Sequence, residues 1–147
     1  MRRAIIFAIA LVIPIIPLQA ELTPEQSSRI TKTVGQIIGQ IHYRQTALND
    51  EISEHHLKNY LNVLDFGHMV FLKTDVDEFE KLHGTRLDDQ VKFGSIRPAK
   101  QIFNRYLERL SECQKMVNEI LGEKMDFTQN EKFNPVRNKL PWPGNKI

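Results

Sequence analysis

The sequence has little that would hold a chain together covalently or bind it through charge. Cys113 is the single cysteine, so no disulfide can form within the chain. Arg2 and Arg3 account for the formal charge of +2, and beyond the first twenty residues Lys plus Arg equal Asp plus Glu. This balance excludes a strongly basic nucleic-acid-binding protein, because such proteins concentrate positive charge against phosphates. It also excludes an acidic disordered tail.

Sequence signatures of catalysis and of metal binding are also missing. The chain has no Gly-x-Ser-x-Gly elbow and no glycine-rich phosphate loop. His55 and His56 are adjacent on a predicted helix and point about 100° apart, while Glu51 with His55 supplies only two ligands. The acidic stretch 75–78 lacks the glycine of a calcium loop and suits a helix N-terminus better. We therefore predict no catalytic residue, no cofactor and no metal site, with Cys113 as a buried, inert thiol.

Residues 1–20 have the three-part pattern of a secretory signal peptide. A basic start is followed by an apolar run from Ala4 to Ile16, then by Pro17 and a small residue at Ala20. The run of about 13 residues is shorter than the ~20 that a membrane-spanning helix needs. We expect cleavage after Ala20, secretion, and no stable membrane span afterwards. An uncleaved anchor is the alternative, because Leu18 is bulky for its position before the cleavage site.

The remaining chain reads as an all-α domain over residues 21–122. Thr23, Pro24 and Gln26 form a helix start, in which Thr23 and Gln26 make a capping box. The apolar residues that follow at helical spacing are Ile30, Val34, Ile37, Ile38 and Ile41. Gly35 and Gly39, four residues apart, would allow a neighbouring backbone to approach this helix closely.

Two shorter helices are predicted next. The second helix is expected to start at Ser53 and to end in the turn 65–68. Its inward-facing residues are predicted to be Leu57, Tyr60, Leu61 and Leu64. The third is expected to be capped by Thr74 with Asp77 and to end at Gly84. Its apolar residues are Val76, Phe79 and Leu82.

A long helix is predicted from Ser95, as its cap, to Gly122. Its apolar residues are three and four positions apart: Ile96, Ala99, Phe103, Tyr106, Leu110, Cys113, Val117 and Ile120. A seam of period 3.5 is compatible with a two-stranded coiled coil. We favour packing against the earlier helices, because Ile102, Leu107 and Leu121 widen the stripe.

Residues 123–147 change character and predict an extended, proline- and aromatic-containing arm or linker. Trp142 lies between Pro141 and Pro143, so it cannot be part of a helix or a central strand. We expect its ring to pack on the helical bundle, with a downstream domain as the alternative partner.

Three segments carry a resemblance to a known family. They are His42-Tyr43-Arg44-Gln45; Tyr60-Leu61-Asn62-Val63-Leu64-Asp65 continuing through His68 and Asp75-Val76 to Phe79; and Met125-Asp126-Phe127-Thr128-x-Asn130 followed by Pro141-Trp142-Pro143. In this order and spacing they resemble the N-terminal helical domain of tail-specific proteases, also called C-terminal processing peptidases. The resemblance extends over essentially the whole chain after the signal peptide.

The resemblance implies a role next to a protease rather than proteolysis itself. In the family, this domain precedes a PDZ domain and a Ser/Lys protease domain that cleaves periplasmic proteins after recognising their C-terminal tails. Ile147 comes before both modules, so the resemblance places no catalytic residue here. We expect a periplasmic, non-catalytic platform for the protease body, a substrate or a partner protein, encoded by a truncated or split gene. A free-standing periplasmic protein-interaction module is the alternative.

Five residues in the resembling segments or beside them are candidates for packing or for an interface. Tyr43 and Arg44 fall where the first helix should end, as a packing corner or as a contact to the missing domains. Phe127 and Phe133, like Trp142, are expected to pack either on the helical bundle or on a downstream domain. An apolar surface left exposed without those domains would mark an interface.

Overall fold

The computed structural model describes residues 22–41, 47–124, 128, 132 and 135–145, and these residues contain helices and no strand. The elements are α1 (Pro24–Ile41), α2 (Asp50–Leu64), α3 (Lys73–His83), α4 (Leu87–Phe93), α5 (Arg97–Gly122) and a 3₁₀ turn (Arg137–Lys139). The all-α class and the long helix in the C-terminal half are confirmed. None of the helices in the described ranges is both long and apolar enough to cross a membrane.

The predicted start of α1 is confirmed. The backbone N–H of Thr23 donates to Oε1 of Gln26 over 2.8 Å, and the N–H of Gln26 donates to Oγ1 of Thr23 over 3.2 Å. Further along, Gly35 is buried against α4, where a methyl group on its Cα would lie 2.6 Å from Cγ1 of Val91. The glycine therefore sets how closely α1 and α4 approach, so the close approach predicted for both glycines of α1 is found at Gly35. Gly39 has open space instead.

The start of α2 lies earlier than predicted. Asn49 is the N-cap, and its side chain accepts a hydrogen bond of 3.0 Å from the N–H of Ile52. Ser53, predicted as the first residue, lies one turn inside the helix and is buried. The predicted turn after the helix is confirmed, since α2 ends at Leu64 and His68 has a positive φ of 49°.

The start of α3 was also assigned wrongly. Leu72 is the N-cap rather than Thr74, and its backbone N–H donates to Oδ2 of Asp75 over 3.0 Å. An aspartate three residues into the helix thus does the capping, which agrees with the predicted role of the acidic stretch. Leu82, predicted to face the core, is 38% exposed, whereas Gly84 ends the helix as expected.

Helix α4 was not predicted. It has seven residues, too few to show a helical period, and it ends at Gly94, whose φ of 75° favours glycine. Ser53 of α2 holds its first turn: the N–H of Asp88 donates to Oγ of Ser53 over 2.8 Å, and that hydroxyl donates to Oδ1 of Asp88 over 2.9 Å. The pair joins α2 to α4 inside the protein.

Helix α5 packs through a face that only partly matches the predicted one. It begins at Arg97 after Ile96, so Ser95 is not its N-cap. Its buried residues are Pro98 and Ile102. Much of the predicted seam is half exposed instead: Phe103, Leu110, Val117 and Ile120 are 42–51% exposed. The expected packing against the earlier helices occurs through Tyr106 of the predicted seam and through Ile102, which was predicted to widen it.

A small core joins α2, α3 and α5. Its buried apolar residues are Leu57, Leu61, Phe71, Val76, Phe79 and Ile102. Phe71 is completely buried and makes edge-to-face contacts with Phe79 and Tyr106, with centroid distances of 5.8 and 5.7 Å. The connection between α2 and α3, residues 65–72, is therefore anchored in the core by the side chain of Phe71.

Candidate arm-docking site and interaction surfaces

The C-terminal arm packs on the α2–α3 connection through Trp142. The indole ring of Trp142 stacks on the imidazole of His68, with centroids 3.8 Å apart and planes 26° from parallel. Its Nε1–H donates a hydrogen bond of 3.1 Å to Oδ2 of Asp65. The ring also contacts the core cluster, so Trp142 lies half buried on the bundle.

Asp65 collects hydrogen bonds from the turn that it starts. Its carboxylate accepts from the backbone N–H groups of Met69, Val70 and Phe71 at 2.9, 3.0 and 3.0 Å. With the indole as a fourth donor, the carboxylate is well satisfied although only 4% of the residue is exposed. Because three of its four donors belong to the connection itself, the acceptor for Trp142 is held in place by the turn.

The arm is also held through its backbone. Nδ1 of His68 lies 2.6 Å from the carbonyl oxygen of Leu140, and the N–H of Lys73 donates to the carbonyl of Pro143 over 2.8 Å. The guanidinium of Arg137 donates to the carbonyl of His68 over 3.4 Å. Residues 137–143 are thus fixed along the connection by contacts on both sides of the tryptophan.

A buried ion cluster fixes α5 on α3. Arg109 binds the carboxylate of Asp75 through two hydrogen bonds, of 2.7 and 2.9 Å, and Arg105 adds a third of 2.6 Å. Burial alone would raise the pKa of Asp75. The hydrogen bonds from Arg109, from the N–H of Leu72 and from Arg105 outweigh it, so the pKa of Asp75 lies below its usual value. The charged form is therefore the stable one in the folded protein.

An apolar groove, here called the α1 groove, runs between α1, α2 and α4. It has a volume of about 330 Å³, and its apolar lining is Ile30, Val34, Ile38, Leu48, Ile52, Leu87 and Val91. At its polar end, Nζ of Lys92 lies 2.7 Å from Oδ2 of the buried Asp88. Burial raises the pKa of Asp88, but hydrogen bonds from Lys92, Ser53 and the N–H of Asp89 lower it below its usual value.

A second cavity of about 340 Å³ separates α5 from the connection and the arm. Its lining includes Met69, Cys113, Met116 and Pro143. Cys113 is half buried there, with Sγ 3.9 Å from the carbonyl oxygen of Met69, rather than sealed in the core as predicted. In the part of the chain that the structure describes, no three His, Cys, Asp or Glu side chains converge as they would around a metal ion.

Of the five candidate residues, the structure places Trp142. Tyr43, Arg44, Phe127 and Phe133 lie outside the described residues. Sequence reasoning missed the two partners of the tryptophan, Asp65 and His68, although both fall in the second resembling segment. The sequence shows only that the turn after α2 contains a carboxylate and an imidazole. Nothing in this local pattern indicates that they contact a residue far along the chain.

Comparison with known proteins places the chain beside one family. Residues 34–147 match the family model described as the tail specific protease N-terminal domain. A tail-specific protease of Haemophilus influenzae is 31% identical to the chain over 119 residues. The matched region covers 81% of this chain and 17% of that relative, so the chain spans less than a fifth of the relative's length.

Proposed function

Because the chain belongs to the family of tail-specific protease N-terminal domains, we propose that it is a non-catalytic helical platform for a periplasmic tail-specific protease. The platform packs on the protease body and helps to position a substrate or a partner protein. Peptide cleavage is performed by Ser/Lys residues of a protease domain that the matched region does not include.

The docked arm is the observation that carries this proposal. Trp142 binds Asp65 and stacks on His68, and the carbonyl of Pro143 binds the N–H of Lys73. A partner that contacts residues 140–143 therefore meets a surface of fixed geometry rather than a free linker. Such preorganisation lowers the entropy cost of association.

The α1 groove supports a protein as the partner. Its walls come from three helices and are apolar, while Ile30, Val34 and Ile38 remain 42–48% exposed. Contiguous apolar surface of this kind is typical of protein interaction sites. Since the chain beyond residue 20 carries no net charge, recognition depends on apolar contact rather than on a long-range field.

Export to the periplasm is supported by the residue pattern of the first twenty positions. Two arginines, an apolar run and a small residue at Ala20 follow the order of a signal peptide. Mass spectrometry of the protein from a periplasmic extract should find a chain that begins at Glu21. A chain that retains Met1 in the cytoplasm would contradict export.

Reconstitution with the PDZ and Ser/Lys protease segments of a tail-specific protease tests the platform. A protein made of those segments, co-expressed with this chain, should co-purify with it and cleave a protein that ends in an apolar tail. Trp142→Ala should weaken that complex, whereas Val63→Ala, at a position 79% exposed on α2, should not.

Two results would contradict the platform. One is the absence of binding to any tail-specific protease body. The other is cleavage of the tailed protein by this chain alone. Specific binding to a different envelope protein would favour the free-standing interaction module.

A further inference from the structure

A cleft of about 570 Å³, here called the α2–α3 cleft, opens between helices α2 and α3 and reaches the C-terminal arm. Its lining includes apolar side chains and charged ones: Leu57, Leu61 and Trp142 with Glu54, Lys58 and Glu80. The volume is within the range of about 300–1,000 Å³ that is typical of binding sites. Trp142 thus has two environments, because it stacks on His68 of the connection and also lines the cleft.

Next to this tryptophan, Asp65 is a buried carboxylate without a cation. Three aspartates of the described residues are buried: Asp65, Asp75 and Asp88. Asp75 is paired with two arginines of α5, and Asp88 is paired with Lys92. Asp65 accepts instead from four neutral N–H groups, and no cation of the described residues forms an ion pair with it. Because neutral donors leave the negative charge in place, a positive group nearby would be stabilised.

The indole of Trp142 connects this charge to the cleft. Its Nε1–H donates to Asp65 over 3.1 Å, which polarises the ring towards greater electron density, and the ring itself lines the cleft. The face of an indole is already negative, and tryptophan is the best aromatic partner for a cation. A cation on this ring would also interact with the charge of Asp65 through the protein interior, where such interactions are screened less than in water.

Two glutamates add negative charge to the walls of the cleft. Glu54 of α2 and Glu80 of α3 are exposed, and neither forms an ion pair with the described residues. This includes Lys58, although Lys58 follows Glu54 by four positions, a spacing at which ion pairs form on a helix. Lys58 is the one cation among the described residues of the lining. The lining and Asp65 together therefore present three carboxylates against one ammonium group.

We propose that the α2–α3 cleft binds an arginine side chain of a partner protein, stacked on Trp142 and held by Glu54 and Glu80. A guanidinium suits this lining better than an ammonium, because it is planar, stacks on aromatic rings and has five N–H donors to share between carboxylates. The apolar stem of arginine also matches the apolar part of the lining. This inference does not depend on the proposed function, since its test uses this chain alone without a protease body.

The single tryptophan of the chain makes binding measurable, because Trp142 is the only source of indole fluorescence. Titration of the full chain with the peptide acetyl-Ala-Arg-Ala-amide should change this fluorescence saturably, with a dissociation constant in the millimolar range. The same peptide with citrulline keeps the shape of arginine without its charge, and it should bind at least about tenfold more weakly. The lysine peptide should bind about threefold more weakly than the arginine peptide.

Variants of the two glutamates test where the peptide binds. Glu54→Gln and Glu80→Gln should each raise the dissociation constant of the arginine peptide about threefold, and together about tenfold. Lys58→Gln should lower the constant about twofold, because it removes a like charge from the cleft. The matched control is Glu25→Gln on α1, which removes the same charge outside the cleft and should change the constant by less than about 1.5-fold.

The buried charge is tested by Asp65→Asn, which keeps the size of the side chain. Binding of the arginine peptide should weaken about fivefold, because the field behind Trp142 is lost. The same side chain closes the turn after α2, so urea unfolding and circular dichroism of each variant are compared with those of the unaltered chain. If Asp65→Asn loses the turn, the Glu54→Gln, Glu80→Gln double variant decides the test.

Four results would overturn the proposal. Unchanged fluorescence with the arginine peptide, or equal binding of the citrulline peptide, would mean that the cleft does not recognise the charge. Equal binding of the lysine peptide would contradict the assignment to a guanidinium. An unchanged dissociation constant in the Glu54→Gln, Glu80→Gln double variant would mean that the peptide binds elsewhere on the chain.

Discussion

The indole N–H of Trp142 donates a hydrogen bond of 3.1 Å to the carboxylate of Asp65, a residue 77 positions earlier in the chain. The same carboxylate closes the turn after α2 through three backbone N–H groups. One side chain thus both shapes the connection between two helices and anchors the arm that returns to it. The contact ties the end of the described chain to the core, because Phe71 of that connection is fully buried.

Replacing Trp142 with Phe should lower the free energy of unfolding by about 1–2 kcal/mol. The change keeps an aromatic ring over His68 but removes one of the four donors to Asp65, a buried carboxylate. Urea unfolding followed by circular dichroism measures the loss. Trp142→Ala should cost more, since it also removes the stacking and the contact with the core. Equal stability of all three proteins would mean that the arm does not dock in solution.

Replacing Arg109 with Ala should cost about 2–4 kcal/mol, because it takes two hydrogen bonds from the buried Asp75 carboxylate. The matched control is Lys73→Ala, which breaks the ion pair between Nζ of Lys73 and Oδ1 of Asp77. This pair is equally short, 2.7 Å, but both of its side chains are more than half exposed. This control should change stability by less than about 1 kcal/mol. Chemical unfolding of both variants gives the comparison, and similar costs would argue against the buried cluster.

Local signals of the sequence were sufficient for much of the fold. The capping box of Thr23 and Gln26 and the buried positions Val76 and Phe79 follow from short-range spacing, which acts within one or two turns of helix. Helix α4 escaped prediction because seven residues do not complete a recognisable period. The family resemblance, quoted on three segments, is confirmed by the match over residues 34–147.

Long-range polar contacts account for what the sequence could not predict. The apolar residues of α5 favoured burial of Leu110, but Asp75 of α3 binds Arg105 and Arg109 and turns their side of the helix inward. Likewise, the partner of Trp142 could not be identified, because the turn at Asp65 carries no mark of a residue 77 positions away. Both contacts depend on which surfaces meet after folding, and periodicity within one helix carries no information about that.

Acid should destabilise the protein as pH falls below about 4, the ordinary pKa of aspartate. The pKa values of Asp75 and Asp88 are lowered in the folded state, so unfolding takes up protons in this range. Their stabilising contribution is fully present above the unfolded-state pKa and is lost as pH falls through the folded-state value. Free energies of unfolding between pH ~5 and ~2 measure this loss. Asp88→Asn should make the dependence on pH shallower, and an unchanged slope would exclude Asp88 as a contributor.

A separate loss of stability is expected in a second pH range, as the pH falls below about 6.5, the ordinary pKa of histidine. Burial lowers the pKa of His83, whose Nε2 has no hydrogen-bond partner among the described residues. The folded state therefore prefers the neutral ring, and protons bind the unfolded chain more readily as pH falls below the unfolded-state pKa. Thermal unfolding between pH ~7.5 and ~5 should show this loss in the unaltered protein and a smaller one in His83→Gln. If both lose stability equally, other groups cause the change.

The two glycines of α1 should respond in opposite directions to alanine. A methyl group on Gly35 would lie 2.6 Å from Cγ1 of Val91, so Gly35→Ala should push α1 away from α4 and cost about 1–3 kcal/mol. Gly39 has open space, so Gly39→Ala should stabilise the helix by about 0.5–1 kcal/mol. Chemical unfolding of both variants measures the difference. Val91→Ala should relieve the clash in the Gly35→Ala protein, making the two substitutions less costly together than the sum of their separate costs. Additive costs would mean that Gly35 and Val91 do not touch, and α1 would then have to lie elsewhere on the bundle.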